Sequence, residues 1–515
     1  MSFLFENITM LAVAALASAL VWVFGGTRGD LLPKFVPWLV LILAEIMLCF
    51  PQRHRDESTY GARERAWSAI KRDPVVWIAL GFLGLLAVPF VNNGLCEFCD
   101  AAIIATGVDP APPLPVLPFC VNRLDHLSVF LWFASALTAM IAVRHCLVRR
   151  GKRLLVHFLV WNGVAVAAFG FLQGAMGAPG PFWRTDPGTP FGASYFFATF
   201  GYPNMAGDYF TVLFGLSVAL WRDRLDELDR VRATMSSSEA KVGQRGQWWR
   251  RHYPAIPTAI CFFAAINSLS RAAIILTTAT AALYFVHTLV GYLAGMKKAK
   301  RVVIGTWCTL AFLVLTFFAM KFMPENVRKE VDTLDATTVL NRVSGKGANS
   351  ERMATAIWGD HLLFGCGGWG YKHFMPAKVP AKDRSRLAYA IGGANVHNDY
   401  LQFLAEHGLV GFGALVAAVV LLLWPIGRGW YNMAKGLRFK TGKDLPPKPV
   451  QLFVLPAAVL FILIATGTTL VHAFGDCPLR SPAILTQFFI ALAVLPGFMP
   501  KDGQYVRHHR HHHHH

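Results

Sequence analysis

A histidine with polar neighbours stands directly before a long apolar stretch in "NVHNDYLQFLAEHGLVGFGAL", residues 395–415. Asn398 or Asp399 is suited to cap a helix that begins at Tyr400, since both side chains accept from the free N–H groups of a first turn. Capping does not explain His397, and a neutral imidazole is the side chain best suited to take a proton near pH 7. We predict that His397 is catalytic, with Asn398 and Tyr400 in support.

Three arginines are candidates for binding a phosphate group, because a guanidinium makes paired, charge-assisted hydrogen bonds and keeps its proton. Arg271 lies between two closely spaced apolar segments in "INSLSRAAIILTTATAALYF". Arg342 and Arg352 lie in "NRVSGKGANSERMA". The simpler interpretations stay open: Arg271 as an arginine that extends its charge from a helix end to water, and the other two as solvated loop charges.

Two further stretches bring polar residues to helix ends at what is predicted to be the same side. The stretch "TLVHAFGDCPLRSP" contains His472, Asp476 and Arg480, and "FATFGYPNMAGDYF" contains Tyr202, Asn204 and Asp208. A small polar residue before a helix is more often a cap than a functional group. We include Asn204, His472, Asp476 and Arg480 as supporting residues of the candidate site.

The elements that must hold these residues are transmembrane helices. Of the 515 residues, 54% are hydrophobic and 15% charged. Apolar stretches of about 17 to 25 residues, enough to cross a hydrocarbon core of roughly 30 Å, recur along most of the chain, and no alternating pattern indicates a barrel. We predict an all-α polytopic membrane protein with about 12 spans. They lie near 8–26, 35–50, 75–91, 128–147, 154–176, 205–220, 254–270, 272–294, 302–323, 399–426, 451–473 and 484–499.

The formal charge of +19 follows the predicted topology and does not indicate nucleic-acid binding. One set of alternate loops carries 29 lysines and arginines, whereas the opposite short loops carry 6. The positive-inside rule then places the basic loops and both termini in the cytoplasm. The loop 324–398, with ten basic residues, is the exception on the outer side, where long loops escape the rule.

The chain divides into five regions on this pattern. They are N-terminal membrane helices with a cysteine-bearing outer loop (1–153), central membrane helices (154–323), an outer loop with catalytic residues (324–398), C-terminal membrane helices (399–506) and an apparent purification tag (507–515). Within the outer loop, "NSERMATAIWGDHLLFG" predicts a helix with Ser350 as its N-cap and with Met353, Ile357 and Leu362 on one apolar face.

Three cysteines, Cys96, Cys99 and Cys120, stand in the Pro-rich outer loop "CEFCDAAIIATGVDPAPPLPVLPFC". The CxxC spacing is compatible with zinc, but no second pair of metal ligands stands nearby. A structural disulfide is the preferred interpretation for an oxidising compartment.

Four motifs in order, "FGYPNMAGDY", "NSLSRAAIILT", "SERMATAIWGDHLLFGCGGWGYKHF" and "NVHNDYLQFLAEHGLVGFGAL", together resemble the O-antigen ligase and O-antigen polymerase superfamily. The resemblance covers roughly residues 160–495 and leaves the first 150 unmatched. By position, His397 matches the family's essential histidine, and Arg271 and Arg352 match its pyrophosphate-binding arginines.

The resemblance implies a helical GT-C-type glycosyltransferase on the periplasmic face of a bacterial inner membrane. Such enzymes transfer a glycan from an undecaprenyl-pyrophosphate carrier to an acceptor hydroxyl, with inversion and without a metal or another cofactor. The acceptor is lipid A core for ligases and a glycan repeat for polymerases, and membrane lipids surround the protein.

Ligase is the preferred interpretation and polymerase the alternative, while the absence of a large outer domain after the last predicted span disfavours the protein-modifying branch of the superfamily. From other classes, a polysaccharide or lipid transporter and a scaffold that holds anionic lipids are the rivals. A transport site lies near the membrane midplane, whereas the polar residues here gather at one end of the predicted spans.

Overall fold

The structure is a computed structural model that describes residues 2–23, 25, 31–92, 114, 116–184, 196–234, 247–294, 300, 303–307, 325–332, 346–378, 395–441 and 455–499. Within these ranges the chain is predominantly helical, with an isolated bridge between Phe197 and Phe200. The helices are α1 Ser2–Glu6, α2 Ile8–Trp22, α3 Leu32–Cys49, α4 Thr59–Arg72, α5 Pro74–Ala87, α6 Arg123–Ile141, α7 Arg149–Ala175, α8 Pro203–Thr234, α9 Gln247–His252, α10 Ala255–Asn267, α11 Arg271–Ala294, α12 Glu325–Asp332, α13 Lys346–Asp360, α14 Gly370–Lys378, α15 Asp399–Thr441, α16 Ala457–His472 and α17 Pro482–Val494.

A helix lies over each predicted span apart from 302–323, of which only 303–307 is described. In the described part of the chain, five helices are long and apolar enough to cross a membrane, or six if the bent pair α4 and α5 forms one span. Three shorter apolar helices accompany them: Ile8–Trp22, Ala457–His472 and Pro482–Gly497. The architecture is that of an all-α polytopic membrane protein, and the number of 12 spans stays a prediction.

Small residues allow the central helices to approach closely. A Cβ on Gly215 of α8 would lie 2.6 Å from the Cβ of Ala465 in α16, and one on Gly163 of α7 would lie 2.1 Å from Leu213 of α8. Helix association in a bilayer depends on such backbone approach, because lipid offers no hydrophobic drive between helices. The packing brings the starts of α8 and α11 to the same end as the end of α16.

A second apolar cluster lies outside the membrane helices, where α13 and α14 pack over the start of α15. Its core includes Phe119, Ile357, Phe374 and Val396. Ser350 lies inside α13, which begins four residues earlier at Lys346, so the prediction of Ser350 as N-cap is wrong. Leu362 is exposed because α13 ends at Asp360 and the chain turns away before it.

The loop that precedes α14 is tied to the N-terminal helices. The Gly368 N–H donates to His126 Nδ1 at 2.9 Å, and His126 Nε2 donates to the Leu86 carbonyl at 2.7 Å. Asp125 accepts from Lys372 Nζ at 2.7 Å and lies 2.9 Å from His373 Nε2. These contacts give the N-terminal region, which carries no recognised motif, a structural role under the outer loop.

The predicted disulfide does not form at Cys120. Its thiol is free and buried, and it donates to the Pro89 carbonyl. Burial raises the pKa of Cys120 to about 11, which keeps the thiol protonated. Cys96 and Cys99 lie outside the described residues.

Helix α15 begins at the predicted place, but it is broken. Gly408 has φ 62° and ψ −171°, which interrupts the helix nine residues after its start. Residues 362–367 run beside the break and supply the missing hydrogen bonds: Cys366 N and Gly367 N donate to the carbonyls of Ala405 and Glu406 at 2.9 Å. Leu409 N and Val410 N in turn donate to the carbonyls of Leu362 and Leu363.

Candidate active site

His397 stands in the loop that enters α15, in an unusual backbone conformation. Its φ is +57°, a left-handed value that only a few per cent of non-glycine residues adopt and that is frequent at functional sites. Its side chain is 54% exposed, and Nδ1 lies 3.1 Å from Asp476 Oδ1. The imidazole is therefore fixed from behind while part of the ring stays open.

Asp476 is the fixed point of this pair. It lies in the turn after α16, 3% exposed, and accepts from Tyr202 Oη at 2.9 Å, from Cys477 N at 2.8 Å and from the amide of Asn204. Burial alone would raise the pKa of Asp476, but the hydrogen bond with His397, the charge of His472 and the Cys477 N–H together hold it well below its usual range. Asp476 is thus a carboxylate that can only accept.

The geometry assigns the proton positions on His397. Because Asp476 accepts, Nδ1 carries the hydrogen of the neutral ring, and Nε2 is left with a free electron pair. An imidazole oriented in this way by a buried carboxylate is arranged to take a proton from a bound hydroxyl group.

Tyr202 and Asn204 hold Asp476 from the start of α8. Asn204 Nδ2 also donates to Tyr202 Oη at 2.9 Å, so the three side chains form one network. Burial and the neighbouring Asp476 carboxylate raise the pKa of Tyr202 well above its usual range, which keeps the hydroxyl as a donor.

A second buried pair lies behind the first. His472 Nδ1 is 3.1 Å from Asp208 Oδ1, and Thr469 Oγ1 donates to the other oxygen of Asp208 at 2.8 Å. His472, predicted as a supporting residue, therefore does not touch His397. It lies four residues before Asp476 and contributes charge to the same network.

Asn398 and Asp399 both help to fix the loop of His397, in different ways. Asn398 Oδ1 accepts from Leu401 N at 3.3 Å, which confirms it as the cap of α15. Asp399 is fully buried, and its backbone N–H and one carboxylate oxygen bind Ala473 O and Leu479 N. The entry to α15 is thereby attached to the turn that carries Asp476.

Two other predicted supporting residues have structural contacts away from His397. Tyr400 Oη donates to the Leu470 carbonyl at 2.6 Å. Arg480 forms a buried ion pair with Glu406 at 2.9 Å and lies 4.0 Å above the Trp369 ring. This guanidinium is 2% exposed, so it is shielded from a ligand at the surface.

Residues next to Arg352 and Arg271 in the chain contact the loop of His397 and the start of α8. Arg352 is exposed on α13, and the preceding Glu351 accepts from Asn398 Nδ2 at 3.2 Å. Arg271 begins α11, directly after a turn whose Ser268 and Ser270 pack against Gly207 near the start of α8. Arg342 lies outside the described residues.

His397, Asp476 and Cys477 offer ligand atoms within 4.8 Å of one another, the one such group of three in the described part of the chain. Burial raises the pKa of Cys477 well above its usual value, and its thiol lies 3.4 Å from Asp476 Oδ1. The oxygens of Asp476 already accept from Tyr202, Asn204 and the Cys477 N–H, so protein donors occupy them.

The sequence did not indicate the connectors, the residues that hold the candidate residues in place by hydrogen bonds. Glu351, Cys477 and Thr469 attracted no attention, since each is ordinary in its own stretch. The signal that could have found Asp476 as the partner of His397 was its position in the last outer turn, which gives the side of the membrane but no pairing.

Comparison with known proteins gives one family match. Residues 256–416 match the family model described as O-Antigen ligase, a stretch that runs from α10 to the middle of α15. It includes Arg271, Arg352 and His397, while Asp476 lies beyond it. No curated protein matches the chain. The family match confirms the resemblance to the O-antigen ligase and polymerase superfamily.

Proposed function

We propose that this chain, whose residues 256–416 form an O-antigen ligase domain, transfers a glycan from an undecaprenyl-pyrophosphate carrier to an acceptor hydroxyl. Members of the superfamily are membrane glycosyltransferases, and ligation to lipid A core is the preferred reaction. The observation that carries the proposal is the exposed imidazole of His397 held by the buried carboxylate of Asp476.

The reaction is a direct displacement. The acceptor oxygen bonds to the anomeric carbon while the bond from that carbon to the diphosphate oxygen breaks, and the electron pair leaves with the diphosphate. His397 Nε2 takes the acceptor's proton as the new bond forms, a contribution of about 10²- to 10⁴-fold. Asp476 is buried and engaged by several donors, so it is unsuited to form a glycosyl intermediate. Attack therefore occurs in one step and inverts the anomeric centre.

The arginines stabilise the leaving group. Negative charge grows on the diphosphate in the transition state, and a fixed guanidinium binds that charge more strongly then than in the substrate. Arg352 on α13 and Arg271 at the start of α11 are the candidates, with Arg342 as a third. The residues of the chain supply the charge themselves, so the reaction requires no metal.

The decisive experiment measures transfer by purified protein in lipid, with an undecaprenyl-pyrophosphate glycan as donor and either lipid A core or a glycan repeat as acceptor. His397→Ala should abolish transfer. His54→Ala should leave transfer unchanged, because His54 is an exposed histidine in the loop between α3 and α4, at the end of the molecule opposite His397. Chelator should have no effect. A folded His397→Ala variant with full activity would refute the role of His397, and the accepted substrate separates ligase from polymerase.

A further inference from the structure

A helix that the sequence did not predict lies at the end of the molecule opposite His397. α4 follows α3 after a short loop and bends by 67° into α5. The far end of α5 reaches Leu86, which binds His126 beneath the outer loop. The start of α5, and with it α4, is therefore at the other membrane boundary.

α4 has the composition of a helix that lies along a membrane surface. Ala62, Ala66 and Ile70 are buried on one side. Tyr60 is 76% exposed and Trp67 is 50% exposed on the helix surface. Trp and Tyr favour the level of lipid head groups, since their rings are apolar and their N–H or O–H groups polar.

A cleft of about 410 Å³ opens between α4 and the last turn of α3. Its walls are mostly apolar and aromatic, with Met47 and Leu48 on one side and Trp67 and Ile70 on the other. Leu48 is 43% exposed, so it adds accessible apolar surface to the lining of the cleft.

Two basic side chains stand at this cleft, one in its lining and one beside it. Arg63 lines it, with its Nε bonded to the Cys49 carbonyl and its guanidinium 5.8 Å from the Phe50 ring. Lys71 Nζ lies 5.6 Å from the Trp67 ring. Glu64 is the one acidic residue among the lining residues.

Two acidic neighbours of this segment are engaged elsewhere, while Asp56 is exposed and Glu64 lines the cleft. Glu57 pairs with Arg65 at 2.9 Å, and Asp73 pairs with Arg144 and lies 2.9 Å from His145. Arg53, Arg55 and Arg72 add further exposed positive charge. The charge around the cleft therefore favours an anion.

We propose that the cleft binds an anionic phospholipid of the leaflet opposite the active site. The phosphate lies between Arg63 and Lys71, and an acyl chain enters between Leu48 and Trp67. Basic clefts at helix ends are suited to anionic head groups, and each basic residue near such a surface contributes about a fivefold change in affinity. The proposal depends on the chain spanning a membrane and not on the transferase reaction.

The test is native mass spectrometry of the delipidated full chain in detergent, mixed with phosphatidylglycerol or phosphatidylethanolamine. The native chain should retain phosphatidylglycerol in preference. Arg63→Gln with Lys71→Gln should weaken this retention on the order of 25-fold. Arg150→Gln, an exposed arginine at the same end outside the cleft, should not change it. Thermal unfolding confirms that each variant is folded. If the double variant is not folded, Lys71→Gln alone replaces it, and its retention of phosphatidylglycerol should fall about fivefold.

A further variant separates the two parts of the site. Leu48→Trp fills the acyl wall and leaves every charge in place, so it should also reduce retention. Excess inorganic phosphate should not displace the lipid. Equal retention of the two lipids, retention that survives both substitutions, or binding unaffected by Leu48→Trp would overturn the proposal.

Discussion

At the scale of single residues, the chemistry depends on a pair that is distant in sequence. His397 and Asp476 are separated by 79 positions, and they meet because α15 begins at the side where α16 ends. The orientation of the imidazole, and with it the proton on Nδ1, depends on this carboxylate.

Asp476→Asn should reduce transfer by about 10²- to 10⁴-fold, since an amide can donate to Nδ1 and so favour the wrong tautomer. The measurement is the initial rate with saturating donor. Asp360→Asn, which removes an exposed carboxylate that pairs with Lys378, is the matched control and should keep the native rate. An unchanged rate in Asp476→Asn would mean that His397 is oriented by another group.

The same carboxylate gives a pH dependence of stability. The pKa of Asp476 is lower in the folded protein than the usual value of about 3.9. Its stabilising effect is therefore complete above that value and is lost as the pH falls through the folded pKa. The difference in unfolding free energy between the native chain and Asp476→Asn should be full at pH 7 and shrink below about pH 4. Unfolding of the two detergent-solubilised proteins at several pH values measures this difference in free energy.

Arg352→Lys tests the pyrophosphate role, because lysine keeps the charge and loses the paired geometry. The rate should fall by about a hundredfold, which corresponds to the loss of one fixed donor. Arg328→Lys, an exposed arginine of α12 on the same outer loop, provides the control. A rate within about threefold of the native rate, with the half-maximal rate reached at the same donor concentration, would exclude the proposed pyrophosphate role.

Much of the residue scale could be predicted from sequence. The structure places the predicted His397, Asn204 and Asp476 in one network, and the family match includes His397, Arg271 and Arg352, whose roles stay predictions. The connectors could not be predicted, because Glu351 and Cys477 act through tertiary contacts that no local spacing encodes.

At the scale of elements, the break in α15 is the central feature. Gly408 has backbone angles that are open to glycine and strongly unfavourable for other residues. A Cβ there would lie 2.3 Å from the backbone of Leu363. The broken helix and residues 362–367 thus form one hydrogen-bonded unit beneath the site.

Gly408→Ala should destabilise the protein by about 1 to 3 kcal/mol from backbone strain, and by more if the contact with residues 362–367 opens. Gly413→Ala is the matched control in the same helix, where a Cβ meets nothing within 4 Å, and it should be neutral or slightly stabilising. Thermal unfolding in detergent compares the two. Equal stability of both variants would show that the break is not required.

Apolar length predicted where most helices lie, but two kinds of element escaped it. The run 399–426 is continuously apolar, so nothing in its hydropathy indicated a break at Gly408. α4 was interpreted as a basic loop, because its charges hide the small buried face of Ala62, Ala66 and Ile70.

At the scale of the whole molecule, the proposed active site and the proposed lipid cleft lie at opposite ends. The cleft beside α4 belongs to the basic end, and His397 belongs to the end with the long outer loop. The sequence predicts that the basic end is cytoplasmic.

Cysteine labelling in intact cells tests this orientation. A membrane-impermeant maleimide should label Thr355→Cys on exposed α13, but not Ser58→Cys before α4, in a background without accessible natural thiols. Ser58→Cys should be labelled once the cells are opened, which controls for reactivity. Labelling of Ser58→Cys alone in intact cells would invert the topology and place the site in the cytoplasm.

The charges of the loops can be counted in the sequence, and they predict which end of the protein faces the cytoplasm. The sequence does not predict how the regions pack against one another. The contact of His126 with Gly368 joins residues 242 positions apart, and it makes the N-terminal region a support for the outer loop. No motif in the first 150 residues announced this.

The network around Asp476 also sets an order of events during synthesis. Its partners leave the ribosome in the sequence Tyr202, Asn204, His397 and finally Asp476 itself, in the turn after α16. A nascent chain that already exposes the loop of His397 still lacks the carboxylate that orients it. On the proposed mechanism the site is complete only when α16 and the turn after it are in place, so a translation product interrupted before α16 should occupy the bilayer without transfer activity.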